Sequence, residues 1–211
     1  MKNMSDEKII ALTFDDGPAV TTTMQILDIL QKYDIPASFF VVGDNIDSQT
    51  GEVMRRAVSM GCEIQNHSRT HGNMTEMTAE EITAEIKYTS DKVKEAVGKA
   101  PEFFRPPYIA VNDLMRETVG LPFIQGVGAE DWLDEVTAQM RYERILAQAK
   151  DGIIILLHDK EGNVQTVSAV EMLIPKLKAE GYRFVTVSEL FREKGVTPKV
   201  GVMYTNVFEE R

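Results

Sequence analysis

The sequence predicts an α/β fold: a single domain of parallel strands with covering helices, wrapped into an incomplete or distorted barrel. Three observations carry this expectation. Short apolar runs recur along the chain, β-branched or aromatic and continuous rather than alternating, as strands buried on both faces do. Amphipathic stretches separate them, and the strand–helix alternation repeats about seven times, the pattern of a parallel sheet. At 211 residues the chain is short for a regular eight-unit barrel, which takes roughly 250.

The runs lie at residues 9–14, 37–42, 62–65, 102–104, 123–127, 153–157 and 184–187. The first helix follows from Ile26, Ile29, Leu30 and Tyr33, spaced i, i+3, i+4 and i+7. Thr78 and Glu81 form a capping box that opens a second helix. It carries Ile82, Ile86 and Val93 and ends near Gly98. Further helices hold Leu146, residues 170–177 and Leu190, while Pro36, Pro101, Pro122 and Gly181 mark the joints before strands.

Composition bounds the function. Apolar content of 43% and charged content of 27% are ordinary for a globular protein. A net charge of −10 argues against a duplex nucleic-acid binder, which needs a basic footprint, and against adhesion to anionic membranes. It favours a neutral or cationic partner, or simply serves solubility. Cys62 is the only cysteine, so no internal disulfide forms. Its apolar neighbours suggest a buried thiol, and the redox compartment stays open. The first residues lack the apolar region of a signal peptide. No run approaches the ~18 apolar residues of a membrane helix. The expected location is cytoplasmic, or extracellular or cell-surface if the sequence is a trimmed piece.

The chemistry gathers at strand ends. Asp15 and Asp16 follow the first run, His67 the third, Arg105 the fourth and His158 the sixth, with Asp131 just past the fifth. In a barrel of parallel strands those ends share one face, where catalytic residues collect. All three histidines fall in two short segments, 66–71 and 156–159. His67 and His71 share a face if their segment is helical, as in other two-histidine zinc motifs. Two imidazoles and a carboxylate suffice for a catalytic Zn²⁺ with an open position. On an extended backbone Asp15 and Asp16 diverge, one toward a metal and the other toward a bound water. A bidentate Arg105 would steady a carboxylate. Each feature has a plainer reading: capping histidines, an N-cap acid, a structural salt bridge, and Trp132 as core packing.

In this order, Thr-Phe-Asp-Asp-Gly-Pro at residues 13–18, His-Ser-x-x-His at 67–71, Arg-Pro-Pro-Tyr at 105–108, Asp131-Trp132 and Leu-Leu-His-Asp at 156–159 resemble the five motifs of the polysaccharide deacetylases. That family is the NodB-homology domain, or carbohydrate esterase family four. The resemblance runs from Ile9 to Lys194, and the stretch 153–196 is especially similar to the acetylxylan esterase branch. It implies a distorted barrel of seven or eight β/α units, with a catalytic domain at 8–195 and a C-terminal tail at 196–211. It also implies one divalent metal, zinc in the first place and cobalt as the alternative, held by Asp16, His67 and His71. Asp15 matches the catalytic base, Arg105 the arginine that braces it, and His158 the general acid. The Tyr108 N–H matches the oxyanion donor, with Pro107 beside it, and Trp132 and Leu156 match residues of the acetyl pocket.

The sequence departs from the pattern twice. Gly128 stands where the family often has the acid that braces the catalytic histidine, so Asp131 is the candidate replacement. Ile109 stands where glycine often follows the tyrosine. The implied activity is removal of acetyl groups from xylan, chitin oligomers or peptidoglycan by a monomer, with ester and amide substrates both open. The alternatives are a hydrolase of a small acetylated or cyclic amide substrate and a silent glycan-binding relative. In the tail, Val200, Val202, Tyr204 and Val207 are able to pack back onto the barrel, against the plain expectation of a loose terminus.

Overall fold

The computed structural model describes residues 7–210. Strand β1 (Lys8–Asp15) leads to helix α1 (Thr22–Tyr33), β2 (Ser38–Val41), α2 (Ser48–Ser59), β3 (Glu63–Asn66) and α3 (Ala79–Val97). Then come α4 (Asp113–Thr118), the two-residue strands β4 (Phe123–Ile124) and β5 (Val127–Gly128), α5 (Ala138–Leu146) and β6 (Ile154–His158). The chain ends through α6 (Val164–Ala179), β7 (Tyr182–Val185), α7 (Val187–Glu193), β8 (Met203–Asn206) and β9 (Glu209–Glu210).

Parallel pairing gives the order β3-β2-β1-β6-β5, with β7 against the first half of β1. Isolated bridges carry the ring onward from Asn66 to Phe104 and from Phe104 to Phe123, β4 pairs β8, and Asn206 of β8 bridges to Ile153 beside β6. The pairings thus return to their start, as a distorted barrel requires. Two expected strands are reduced. Residues 102–104 contribute one bridged residue, because Pro101 and Pro106 flank them and cannot donate to a ladder. The run 123–127 breaks at Gly126, whose φ is +82° and whose Cβ, if it had one, would lie 2.8 Å from the Ile154 carbonyl.

Alternation along β1 explains both layers of the core. Ile10, Leu12 and Phe14 pack outward with Ile26 and Leu30 of α1 and Val170 and Leu173 of α6. Ile9 and Ala11 face inward with Phe40, Ile154, Leu190, Phe191 and Tyr204. Period two then turns Thr13 and Asp15 inward as well. Strand β6 follows the same rule, so Ile154, Leu156 and His158 share the inner face, and His158 is the register partner of Asp15. Leu190 and Phe191 of α7 plug the end where strands begin. The inner face at the other end is left to the polar residues.

Helices α2 and α4 were not among the expected elements. The first is capped by Asp47 and Thr50 in a reciprocal box, the second by Asn112. The boundary expected at residue 195 does not separate a tail from the barrel. Strand β8 lies beyond it, Tyr204 and Val207 are buried, and only Val200 of the four apolar side chains stands well exposed. Among the described residues no helix is long and apolar enough to cross a membrane.

Candidate functional site

Asp15 is 2% exposed at the inner end of β1. A carboxylate this buried needs donors, and Arg105 supplies one, Nη1 to Oδ1 at 2.5 Å. Arg105 is itself fully buried, donates through Nε to the Ile124 carbonyl at 3.2 Å, and lies over the Phe40 ring at 4.1 Å. Burial lowers the guanidinium's pKa, and Asp15 opposes that shift.

Asp16 does not continue the strand. Its φ of 74° puts it in the left-handed region, a correction to the extended geometry expected, and its carboxylate still comes to 3.5 Å from the same His67 Nε2 that Asp15 approaches at 3.8 Å. The turn is held by Asp159, which is fully buried and accepts from the Gly17 N–H at 3.0 Å and from the Thr23 hydroxyl at 2.5 Å. A Cβ on Gly17 would sit 2.4 Å from the Asp159 carboxylate, so this turn needs glycine. Burial raises the Asp159 carboxyl to about 7 against the pull of the Thr23 hydrogen bond.

His67 and His71 do converge, but the segment between them is an irregular loop and not a helix. Ser68 and His71 take φ of 65° and 58°, which a helix cannot contain. His67 Nδ1 lies 2.7 Å from the Arg105 carbonyl. A carbonyl only accepts, so Nδ1 carries the proton and Nε2 presents its lone pair. That Nε2 is 3.5 Å from Asp16 Oδ1, and His71 Nε2 is 3.3 Å from the same oxygen. Asp16 Oδ1 is buried without a hydrogen-bond donor. Burial would raise the Asp16 carboxyl, but the neighbouring imidazoles, His67 foremost, outweigh it and hold the pKa at about 2. Burial lowers the pKa of His71. The three ligand atoms all lie within 4.8 Å of one another. An orphaned carboxylate oxygen facing imidazole lone pairs is the donor set of a divalent cation, and the residues fit one.

His158 stands across the cleft. Its Nδ1 lies 2.7 Å from Asp131 Oδ1, and its backbone N–H donates to Asp131 Oδ2 at 2.8 Å. Asp131 is buried and also accepts from the Thr166 hydroxyl at 2.7 Å. Burial works against charging the ring, and the carboxylate outweighs it, raising the His158 pKa to about 9. Asp131 therefore braces the histidine that Gly128 is unable to reach. The loop after β5 delivers it by turning back at Glu130, φ 56°.

A cleft of about 690 Å³ opens over these groups, bordered by Tyr108, Ile109, Trp132 and Leu156. Tyr108 has φ 58° and its ring meets His71 edge-on at 4.8 Å. Trp132 is 59% exposed and edge-on to His158 at 5.7 Å, so it is a cleft wall rather than core. Pro107 is buried at the start of the Tyr108 turn, and Pro106 borders the cleft in its place. Sequence reasoning gave Asp159 no role within its motif and missed Thr166 and Glu85; all three are buried polar residues that hold these loops.

Residues 2–121 match the family model described as polysaccharide deacetylase. A bifunctional xylanase/deacetylase of Pseudobutyrivibrio xylanivorans is 51% identical over 94% of the chain, and the chain spans 33% of that relative's length. The Xyl-CE4 domain of a multidomain xylanase from the hindgut metagenome of Trinervitermes trinervoides superposes with a TM-score of 0.94 at 50% identity, covering 96% of this chain and 99% of that one. A family 4 acetyl xylan esterase from Clostridium thermocellum, in complex with a cobalt ion, gives 0.92 at 40% identity, covering 95% and 99%.

Proposed function

Because the chain belongs to the polysaccharide deacetylase family, we propose that it is a metal-dependent hydrolase that removes acetyl groups from an acetylated polysaccharide, with acetylated xylan as the preferred substrate. The observation that carries this reading is the convergence of Asp16, His67 and His71 between a buried Asp15 and a histidine braced by Asp131. The xylan assignment is supported by the names of the relatives above, two of them xylanases and one an acetyl xylan esterase.

Asp16, His67 and His71 would hold the cation, Zn²⁺ in the first place with Co²⁺ as the alternative. When bound it supplies Lewis acidity and lowers the pKa of a water molecule toward neutrality. Asp15 is the group that takes the proton from the attacking water, since its second oxygen, Oδ2, faces the metal-ligand side at 3.8 Å from His67 Nε2 while Arg105 holds the first. The Tyr108 N–H stabilises the developing oxyanion. His158, kept protonated by Asp131, gives its proton to the departing sugar oxygen. Trp132 and Leu156 wall the acetyl group. The protein acts as a monomer in this reading.

Acetate release from acetylxylan, with chitooligosaccharides and acetylated monosaccharides alongside and a chelated control, tests it. Chelator-sensitive release favouring acetylxylan is the expected result. Faster release from the monosaccharides would replace the polymer with a small acetylated substrate. Binding of the polymer without any release would make the chain a silent glycan-binding relative.

A further inference from the structure

Glu85 lies on the buried side of α3 and is 8% exposed, yet no basic side chain pairs with it among the described ion pairs. The Arg69 guanidinium makes its hydrogen bond to Asp44 instead, at 2.9 Å, and lies over the Tyr88 ring. The donors to the Glu85 carboxylate come from one place. Oε2 accepts the backbone N–H groups of Arg69 and Thr70, both at 2.9 Å, and Oε1 accepts the Thr70 hydroxyl at 3.1 Å. All three belong to the loop between His67 and His71. One turn further along α3, Thr89 donates to the Ser68 carbonyl at 2.8 Å. The packing there is close, since a Cβ on Gly43 would lie 2.2 Å from the Thr89 hydroxyl oxygen.

The loop needs such a hold. Ser68 and His71 both sit in the left-handed region, where side-chain-bearing residues persist only if their surroundings over-determine them. Irregular backbone also leaves N–H groups without ladder or helix partners, and buried ones must find acceptors. A side-chain oxygen can receive several donors at once, which a hydrophobic residue at position 85 does not match.

We propose that Glu85 is a positioning residue for the metal centre: by gathering the backbone donors between His67 and His71 it fixes the separation of the two imidazoles and so sets the affinity for the cation. This rests on the metal-site reading above. The carboxylate touches no ligand side chain. It acts through the loop, as partners behind the ligands do at other metal sites.

The test uses Zn²⁺ titration of the chelator-stripped full chain against a chromophoric competitor, with Co²⁺ absorption as a second readout. Glu85→Ala is expected to weaken Zn²⁺ binding about 10–100-fold and to shift the Co²⁺ spectrum. Glu85→Gln keeps a carbonyl oxygen for both N–H groups, so its affinity should stay within about threefold of wild type on the same argument. Should Glu85→Ala fail to fold, Glu85→Asp keeps the charge but withdraws the oxygens by one methylene, and it should weaken binding likewise. A folded Glu85→Ala or Glu85→Asp protein with wild-type Zn²⁺ affinity, or a Glu85→Gln protein as weak as Glu85→Ala, would overturn the proposal. Absence of Zn²⁺ and Co²⁺ binding by the wild type would remove the metal site itself. Normal binding with no acetate release would sink the substrate reading and leave Glu85 in its role.

Discussion

Replacing Asp131 with Asn removes the charge that faces His158 while keeping a side chain of nearly the same shape. The histidine is 15% exposed and its pKa is raised from 6.5 to about 9 by that carboxylate, against burial. At about 1.4 kcal/mol per unit, the rise is worth about 3 kcal/mol in metal-free protein. The sign follows from linkage. Below pH 6.5 the ring is protonated in both folded and unfolded chains, and the full contribution is present. Between pH 6.5 and about 9 the unfolded chain gives up its proton while the folded one keeps it, so the contribution is lost as pH rises. With Asn at 131 burial is opposed only by the more distant Asp15 and Asp16 carboxylates, so the folded pKa drops back toward the unfolded one and the slope from this residue flattens. Urea unfolding of chelator-stripped wild type and Asp131→Asn at pH 5.5, 7.5 and 9.5 should therefore give a stability gap that shrinks by about 3 kcal/mol across the series. A gap constant to within about 0.5 kcal/mol would refute the coupling, and with it the account of how the acid is kept charged.

Three other outcomes follow from the same geometry. Asp15→Asn should keep Zn²⁺ affinity but lose about 10²–10⁴-fold in kcat, whereas His67→Ala should lose the metal; calorimetric Zn²⁺ titration alongside acetate release separates the two, and normal turnover by Asp15→Asn would remove it from the base role. Gly17→Ala forces a Cβ to within 2.4 Å of Asp159 and should cost about 1–3 kcal/mol in urea unfolding, with no change expected only if the turn is slack. Ile109, a β-branched residue at φ 54° on the cleft wall, narrows the groove. Ile109→Gly should raise kcat/KM for acetylated xylo-oligosaccharides severalfold while leaving an acetylated monosaccharide unaffected, and an equal change on both would assign the effect to the centre rather than the groove.

The layered α/β plan was legible because buried parallel strands are apolar throughout, a pattern that survives without knowledge of partners. The site was legible because its chemistry needs histidines, and this chain has three. Local backbone geometry was not. Asp16 and His71 lie in left-handed conformations imposed by side chains far away in the chain. The hydrogen bond from Gly17 to Asp159 spans 142 positions, and no window of sequence contains both ends. Glu85 stood in the predicted helix beside Ile86, where its only local signal was a charge on the apolar side. The break at Gly126 and the loss of a strand at 102–104 arise from proline placement and close backbone approach, which periodicity does not register. Motif order makes Asp131 a replacement brace, and the 2.7 Å contact to His158 supplies the geometry that motif order lacks.

The central position of β1 has a consequence for synthesis. Asp15 pairs in register with His158, and the first half of β1 pairs with β7, so β1 is made well before two of the strands it pairs with. At roughly 5–20 residues per second of translation, the interval between Asp15 and His158 leaving the ribosome is about 7–30 s. Over that time the run 9–14 has β2 on one flank and an open apolar edge on the other, the kind of surface that aggregates or recruits a chaperone. The nascent chain should therefore be most vulnerable while its active-site half is already complete through His71 and β6 is still inside the ribosome.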